Sequence, residues 1–404
     1  MAGEPDARPR ALFIAPQPFL EWRGSPLRVN HNVRVLAELG YDTDLLAMPF
    51  GETPDDLPTS VTVHRPRNLF RRKGLSIGPS VWKALYDLLL AARAWRLTAR
   101  HRYAVVHGVE EAGALAVWLG RRRGIPAIFE KHSDPASYRK GPVRNLVMAG
   151  YARLERYALA GAAAAIVTGP GLAEQVRARF PNQAVHAIAD IPSSRAECDE
   201  SEAARLRREL APDPAHRLAA YAGSFAVYQG IDLLFETIPK TLARCPLARF
   251  VIVGGSEREI AERKRQMEAC GAGAAVVFLG RVPPEQLPNY LRAADVLLSP
   301  RASGSNTPLK LLDYLKAGRA IVAADGEANR LLLNDTVART PTPDPDRFAD
   351  AIAELLRADA ERERMGQAAR RLFETEYRYE LFRDRLAACY RAAVRADEPG
   401  QEPA

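Results

Sequence analysis

Short apolar runs alternate with amphipathic helical stretches along most of the chain, and this pattern constrains the fold more than any other feature of the sequence. The first group of runs predicts strands at 11–16, 43–48, 61–65, 104–108, 126–132, 163–169 and 184–190. A second group predicts strands at 218–223, 249–255, 275–280, 295–300 and 320–325. Strands separated by helices form parallel sheets through right-handed crossovers. We therefore predict two α/β domains in tandem, which also suits a length of 404 residues.

A polar segment between the two groups marks the predicted domain boundary. Residues 191–214 contain Pro, Ser and acids without a strand pattern, so we assign them to a linker. The first domain then covers 1–190 and the second covers 215–377. Residues 341–345 are expected to form a loop, followed by two helices. The last helix, at about 378–396, is expected to pack back on the first domain, and the polar residues 397–404 to be disordered.

The net charge of +8 is concentrated in the first half, where residues 1–200 hold 27 Lys and Arg against 20 Asp and Glu. No acid occurs between Asp56 and Asp87. This positive charge has three possible interpretations. It could bind an anionic membrane surface, it could bind nucleic acid, or it could be a solvated face in a chain that holds 49 Arg and 8 Lys. We expect no nucleic-acid partner, because no helix-turn-helix, zinc-finger or RNP-like pattern accompanies the charge. In this segment the basic and aromatic residues are Arg65, Arg67, Phe70, Arg71, Arg72, Lys73, Trp82 and Lys83.

Neither the cysteines nor the N-terminus points to an exported protein. The four cysteines lie far apart without a C-x-x-C pair, so we expect free thiols in a reducing cytoplasm. The N-terminal MAGEPDARPR has no apolar region typical of a signal peptide. The longest weakly apolar run, 158–168, is well short of the roughly 20 residues of a membrane-spanning helix.

Ligands of open parallel sheets bind beyond the carboxyl ends of the strands, so the loops at these ends are the candidate site. The most specific is the loop 300–310, where Thr307 is a predicted N-cap and Pro308 the first helical residue. The free N–H groups of such a helix start bind phosphate, and Lys310 and Arg301 add positive charge. Asp313, one turn further, offers a carboxylate for ribose hydroxyls. An ordinary capped helix with a surface Lys and Asp is the alternative.

Several segments resemble one known family. SPRASGSNTPLKLLDYLKAG (299–318) resembles the nucleotide-binding signature of retaining GT-B glycosyltransferases of family 4. YAGSFAVYQGIDLLFE (221–236) and GRVPPEQLPNYLRAADVLLSP (280–300) are similar to other parts of their donor domain. FLEWRGSPLRV (19–29), HGVEEAG (107–113) and FEKHSDP (129–135) resemble their acceptor-domain loops. The resemblance implies two Rossmann-like domains that face a central cleft, the first binding the acceptor and the second the nucleotide-sugar donor.

The resemblance also implies roles for individual residues. Gly24 would let the backbone approach the donor diphosphate, Lys310 would face that diphosphate, and Asp313 would bind ribose. Two positions depart from the family pattern: Ser305 stands where a Glu usually contacts the donor sugar, and Gln229 replaces a frequent basic residue. The expected donor-binding residues are Gly24, Ser25, Gly223, Ser224, Arg301, Ser305, Asn306, Thr307, Leu309, Lys310 and Asp313.

Three residues are candidates for catalysis. His132 matches the family's histidine beside the transferred sugar, and Glu110 and Glu111 directly follow a predicted strand. The glutamates fit an ordinary helix start equally well. The resemblance implies a reaction without a metal or other cofactor, with the nucleotide-sugar as co-substrate. We expect structural roles for the D-x-D pairs Asp42/Asp44 and Asp344/Asp346.

Two functions remain open. The first is a metal-independent retaining glycosyltransferase that transfers a hexose to a lipid-linked or saccharide acceptor in cell-envelope polysaccharide or glycolipid assembly. It would be cytoplasmic, resting on the inner membrane face through the basic segment 65–83. The second is a catalytically silent subunit that binds a nucleotide or a partner glycosyltransferase. A nicotinamide dehydrogenase is excluded, because ALFIAPQPF lacks the Gly-x-Gly-x-x-Gly pattern.

Overall fold

The computed structural model describes residues 8–19, 24–72, 74, 80–132, 142–303 and 308–395, with only the backbone described at 142–144 and 146. The chain forms two compact units. Unit 1 comprises the described residues up to Asp190 together with those from Glu380 onward. Unit 2 is the continuous segment Ile191–Tyr379. Within the described ranges, no helix combines the length and apolar character needed to cross a bilayer.

Unit 1 contains a seven-stranded, wholly parallel sheet in the order β3-β2-β1-β4-β5-β6-β7. The central strands are continuous apolar runs because helices cover both of their faces. The seven predicted strands of the first group are confirmed. Their bounds are β1 Arg10–Ala15, β2 Asp42–Ala47, β3 Val61–His64, β4 Val105–Val109, β5 Ala127–Lys131, β6 Ala164–Val167 and β7 Val185–Ala187.

The helices of unit 1 lie between these strands, and one further helix comes from the C-terminal end of the chain. Gly40, just past the first helix, has a φ of +84°, a left-handed conformation that suits glycine at the end of a helix. Phe382 and Tyr390 of the C-terminal helix are buried in unit 1. The helices are α1 Gly24–Glu38, α2 Val81–Arg100, α3 Ala112–Arg123, α4 Pro142–Gly161, α5 Pro170–Arg179 and α14 Tyr379–Arg395.

Unit 2 contains a six-stranded parallel sheet in the order β10-β9-β8-β11-β12-β13. Alternate residues of β8 enter two different cores, Ala219 and Tyr221 in one, Leu218 and Ala220 in the other. This sheet is therefore also covered on both faces. Its strands are β8 Arg217–Ala222, β9 Ala248–Val253, β10 Val276–Gly280, β11 Val296–Ser299, β12 Ala320–Ala323 and β13 Ala338–Arg339.

The helices of unit 2 correct two sequence predictions. Residues 191–214 are not simply a linker, because α6 lies within them, is capped by the Asp199 side chain, and buries Ala203, Leu206 and Leu210. The predicted loop 341–345 ends one residue early, since Pro345 begins a helix, and three helices follow it. The helices are α6 Glu200–Leu210, α7 Ile231–Arg244, α8 Glu257–Ala269, α9 Leu287–Ala293, α10 Leu309–Ala317, α11 Glu327–Arg330, α12 Pro345–Arg357 and α13 Asp359–Glu376.

The order of the strands in each sheet indicates where ligands bind. In unit 1 the strand order reverses between β1 and β4, and in unit 2 it reverses between β8 and β11. Open α/β sheets bind ligands at such points, beyond the carboxyl ends of the strands. The segments after β1, β4, β8 and β11 therefore contain the candidate site. The predicted tail 397–404 lies outside the described residues.

Candidate active site

A buried carboxylate organises the candidate site in unit 1. Glu130, on β5, is fully buried. It accepts hydrogen bonds from the Arg28 guanidinium, from Asn32 Nδ2 at 2.8 Å and from His107 Nε2 at 2.9 Å. Arg28 also donates to Asp190 Oδ1 at 2.9 Å. Side chains from helix α1 and strand β4 thus surround the Glu130 carboxylate of β5, near the carboxyl ends of the strands, where the site was predicted.

The charges in this cluster stabilise each other. Burial alone would raise the pKa of Glu130, but Arg28 and the two histidines hold that pKa well below its ordinary value. Burial likewise opposes the charge on Arg28, yet Glu130 and Asp190 raise its pKa. Burial lowers the pKa of His107 and outweighs the effect of Glu130. His107 is therefore neutral at pH 7, with its proton on the nitrogen that faces Glu130.

The predicted residues His132, Ser25 and Glu110 are brought together at the edge of this cluster. His132 Nδ1 lies 2.9 Å from Ser25 Oγ, and its Nε2 lies 3.2 Å from Glu130 Oε1. The His132 backbone N–H donates to Glu110 Oε1 at 3.2 Å. Burial would lower the pKa of His132, but the hydrogen bond and charge of Glu130 raise it. His132 therefore carries a proton more readily than an ordinary histidine.

Three predicted residues of unit 1, Ser25 among them, have different surroundings from those expected. Gly24 and Ser25 do not lie in a loop, because α1 already begins at Gly24 and presents them as its first turn. Glu111 does not face the cluster, since it pairs with Lys83 of α2. Lys83 also contacts Asp87, with 3.2 Å between Nζ and Oδ2.

Sequence reasoning missed Arg28, Asn32, His107 and Glu130. The available signal was the presence of His107 and Glu130 inside two mostly apolar strands of a parallel sheet. Charged residues are almost never fully buried unless they are paired, so such positions indicate a buried network.

A cationic side chain organises the candidate site in unit 2. Lys310 lies in the first turn of α10, where backbone N–H groups lack the i−4 carbonyl partners of later turns. Its Nζ is shielded from solvent, lies 4.2 Å from the centre of the Tyr221 ring, and has no hydrogen-bond partner among the described residues. Burial, with a smaller contribution from the nearby Arg301 charge, lowers the pKa of Lys310 to about 7. An anion bound here would restore the full charge of this lysine.

Gly223 and Ser224 at the end of β8 lie next to this lysine. A Cβ atom at Gly223 would stand 2.7 Å from Lys310 Nζ and 2.9 Å from Tyr221 Oη, and the φ of Gly223 is +153°. The Tyr221 hydroxyl donates to the Ser224 carbonyl at 2.8 Å. Only a residue without a side chain therefore leaves Lys310 in this position.

The segment before α10 agrees in part with the prediction. Pro308 is the N-cap of α10 and Leu309 its first residue, so the helix starts one residue later than expected. Arg301 is mostly buried; its Nε donates to the Ser303 carbonyl at 2.8 Å, and its guanidinium lies 5.6 Å from the centre of the Tyr228 ring. The predicted residues Ser305, Asn306 and Thr307 lie outside the described residues.

Asp313, the predicted ribose ligand, has protein partners. Its Oδ1 accepts from the Ser193 N–H at 2.9 Å, and its Oδ2 accepts from Ser193 Oγ at 2.8 Å. Burial raises the pKa of Asp313 to about 6, against the effect of these bonds. The carboxylate therefore ties α10 to the segment after Ile191 in this structure, and ribose binding stays a prediction.

Within the part of the chain that the structure describes, no group of three or more His, Cys, Asp and Glu is arranged to hold a metal ion. Asp44 accepts from Tyr103 Oη at 2.6 Å and pairs with His64. Asp344 caps α12, and Asp346 pairs with Lys240 and Arg244. Asp44, Asp344 and Asp346 thus have structural partners.

The basic segment 65–83 is less uniform than its sequence indicates. The Arg65 side chain donates to the backbone carbonyls of Phe19 and Gly51, both at 2.6 Å. Since Lys83 is paired with acids, neither end of the segment presents a free charge. Between them, exposed Phe70 and Trp82 pack together, and the Arg72 guanidinium lies 4.7 Å from the centre of the Trp82 ring.

Two family models match most of the chain between them. The model described as "Glycosyl transferase 4-like domain" matches residues 23–189, and "Glycosyl transferases group 1" matches residues 202–372. The first match falls within unit 1 and the second within unit 2. Each model therefore covers one of the two groups of candidate residues described above.

Curated relatives match over part of their length. A phosphatidyl-myo-inositol mannosyltransferase of Mycolicibacterium smegmatis is 33% identical over 134 residues, 32% of this chain and 33% of that enzyme. A GDP-mannose-dependent monoacylated alpha-(1-6)-phosphatidylinositol monomannoside mannosyltransferase of Corynebacterium glutamicum is 30% identical over 165 residues, 39% of this chain and 42% of that enzyme. Both matches span less than half of the relative.

Solved structures resemble the whole chain. Sucrose-phosphate synthase from Thermosynechococcus elongatus has a TM-score of 0.73 at 19% identity, covering 96% of this chain and all of that one. The Anabaena protein Alr3699/HepE, in complex with UDP-glucose, has a TM-score of 0.65 at 14% identity, covering 94% and 98%. These likenesses show the GT-B fold and confirm the fold predicted from the sequence. Together with the family models, they show that the chain belongs to the group 1 glycosyltransferases.

Proposed function

We propose that this glycosyltransferase is a retaining, metal-independent enzyme that transfers a hexose from a nucleotide-sugar to a lipid-linked or saccharide acceptor in cell-envelope glycolipid or polysaccharide assembly. The observation that carries the proposal is the shielded ammonium of Lys310 at the start of α10, for which the residues that the structure describes supply no hydrogen-bond partner. A buried cation without a partner is unfavourable unless an anion binds there. The diphosphate of a nucleotide-sugar is such an anion.

The names of the relatives support particular substrates. The two curated relatives described above are mannosyltransferases of phosphatidylinositol lipids, and one is named as GDP-mannose-dependent. We therefore propose GDP-mannose as the first donor to test and phosphatidylinositol as the first acceptor. Because the matches cover less than half of those enzymes, the test includes the other common donors.

The chemistry assigned to the chain is stabilisation of the leaving group. The departing nucleoside diphosphate develops negative charge, which Lys310, Arg301 and the first N–H groups of α10 would stabilise. In a retaining front-face reaction the departing phosphate can take the proton of the acceptor hydroxyl. His132, with its raised pKa, would contribute a positive charge next to the transferred sugar.

Thermal unfolding with a panel of nucleotides tests donor binding. We expect GDP and GDP-mannose to stabilise the protein; one site at a hundred times its Kd contributes about 2.7 kcal/mol. UDP, ADP and their sugars are the matched comparisons. Transfer of radiolabelled mannose to phosphatidylinositol, with and without EDTA, then tests activity and metal independence. If no nucleotide stabilises the protein and no donor supports transfer, the proposal is wrong.

We also propose peripheral attachment to the cytoplasmic face of the inner membrane, through the exposed residues of the basic segment. Phe70 and Trp82 supply apolar surface, and Arg71 and Arg72 supply charge, each Arg worth about 1 kcal/mol near an anionic surface. Sedimentation with phosphatidylglycerol vesicles should show binding that weakens as salt rises. Absence of binding at low salt would refute the attachment.

A catalytically silent subunit is the second candidate function. Ser305 replaces the usual donor-sugar carboxylate, and Asp313 is bonded to Ser193. Donor hydrolysis distinguishes the two candidates. Equal, undetectable hydrolysis by the wild type and by Asp313→Ala, with nucleotide still bound by the wild type, would favour the silent subunit.

A further inference from the structure

We propose that Glu130 is a positioning residue for the transfer reaction: its buried carboxylate holds the ring of His132 so that this histidine serves as a fixed cation and not as a general base. The kinetic part of this inference, that His132 acts as a cation in the transfer, rests on the proposed function. The structural part, that Glu130 holds and charges the His132 ring, rests on the contacts of Glu130 and is tested without any substrate.

The position of Glu130 supports the first half of the inference. Its side chain is fully buried, and the groups around it come from α1, β4 and the residue after β5. Asn32 Nδ2 and His107 Nε2 donate to one oxygen, at 2.8 and 2.9 Å, and Arg28 donates to the other. Anchored in this way, the carboxylate cannot turn away from His132 without breaking bonds to three neighbours.

The contacts of His132 support the second half. Its Nε2 lies 3.2 Å from Glu130 Oε1, and its Nδ1 lies 2.9 Å from Ser25 Oγ. A general base needs a nitrogen lone pair that can reach the proton to be removed. Nδ1 is engaged by the Ser25 hydroxyl, and Nε2 is shielded from solvent beside the Glu130 carboxylate. Neither nitrogen therefore presents a lone pair that an acceptor hydroxyl can reach, and the ring offers a localised positive charge instead.

The neighbouring groups decide which histidine is charged. Arg28 of α1 is cationic, and Glu110 and Asp190 bring further acids to the cluster. His107 is kept neutral by burial, and Tyr390 and Cys389 of α14 are neutral because burial raises both of their pKa values. The Tyr390 hydroxyl lies 2.7 Å from His107 Nδ1, which fixes the proton of His107 on the nitrogen that faces Glu130. His132 is therefore the histidine of this cluster that holds the charge.

Titration of the imidazole ¹⁵N signals tests the structural part in ligand-free protein, with His132→Gln to assign the resonance. In Glu130→Gln we expect the pKa of His132 to fall by about 1 to 3 pH units, the usual effect of a nearby opposite charge. Glu130→Asp keeps the charge and should give an intermediate value, and it serves as the second variant if Glu130→Gln does not fold. Asp44→Asn is the matched control, because Asp44 is another buried carboxylate bonded to a histidine, on the distant strand β2. It should leave the His132 titration unchanged.

The pH dependence of kcat/KM tests the kinetic part. In the wild type we expect kcat/KM to fall as pH rises through the pKa of His132, and Glu130→Gln to move this decline to lower pH by the same amount. A base role predicts the opposite, an increase in rate as His132 loses its proton. An unchanged His132 titration in both Glu130 variants overturns the inference, as does a wild-type rate that rises with deprotonation. If no variant transfers sugar, the proposed function fails while the NMR result still decides the role of Glu130.

Discussion

Replacing Lys310 with methionine should stabilise unit 2 and abolish nucleotide binding. Folding lowers the pKa of this lysine from 10.5 to about 7, because its ammonium is buried and Arg301 is close. At 1.36 kcal/mol per pH unit, this difference corresponds to an upper bound of about 5 kcal/mol for the cost of the buried charge. Methionine fills a similar volume without a charge, so Lys310→Met removes that cost.

The gain in stability should depend on pH in a defined direction. Below pH 7 the folded and unfolded forms of the wild type both carry the proton on Lys310, so the buried charge has its full cost. Between pH 7 and 10.5 the unfolded chain holds more protons, and the wild-type free energy of unfolding therefore rises with pH. The difference in free energy of unfolding between Lys310→Met and the wild type should be greatest at pH 6 and should disappear near pH 10.

Urea unfolding of wild type and variant at pH 6, 7, 8 and 9 measures this difference. Lys316→Met is the control on the same helix, since the Lys316 ammonium bonds to the carbonyls of Arg195 and Ala196 at 3.2 and 2.7 Å. Loss of these bonds should destabilise unit 2.

Calorimetry adds an independent check on Lys310. Nucleoside diphosphate should recharge the lysine, so binding at pH 8 should take up about 0.9 proton, as expected for a pKa near 7. Titrations in two buffers of different ionisation enthalpy report this number. If binding takes up no proton at pH 8 and Lys310→Met is no more stable than wild type at pH 6, the assignment of a buried, uncompensated ammonium is wrong.

Three further substitutions test other parts of the structure. Gly223→Ala places a methyl group 2.7 Å from Lys310 Nζ, and should weaken nucleoside diphosphate binding roughly tenfold, or about 1.4 kcal/mol, by calorimetry. Arg71→Gly should stabilise unit 1 by about 1 kcal/mol, since Arg71 has a φ of +48°, while binding to anionic vesicles weakens. Tyr390→Phe removes the hydroxyl partner of buried His107. It should lower the free energy of unfolding of unit 1 by about 1 to 3 kcal/mol, measured with urea, without affecting unit 2.

The strands were predictable because parallel strands covered on both faces are continuous apolar runs. The two-residue strand β13 was missed, because Ala338–Arg339 is too short to give a pattern. Helix α6 was missed because seven of its eleven residues, in ESEAARLRREL, are charged or polar. Its apolar residues at 203, 206 and 210 nevertheless recur at helical spacing, so closer attention to periodicity would have found it.

The candidate site was predictable where its residues belong to one local motif, and less so where they meet across the sheet. The position of Lys310 in the first turn of a helix follows from residues 308–310. That its Nζ lies against Tyr221 depends on the pairing of distant strands, which a single sequence does not show. The bond between Asp313 and Ser193, 120 residues apart, is of the same kind. A predicted ribose ligand can therefore have protein partners that no local pattern reveals.

The return of α14 to unit 1 has a consequence for biosynthesis. Unit 2 is an uninterrupted segment and can fold as soon as Tyr379 has left the ribosome. Unit 1 has to wait until α14 has also been synthesised, since Phe382 and Tyr390 supply part of its interior. A nascent chain stalled before residue 380 would thus carry a finished C-terminal unit beside an N-terminal one whose His107 still lacks its hydroxyl neighbour.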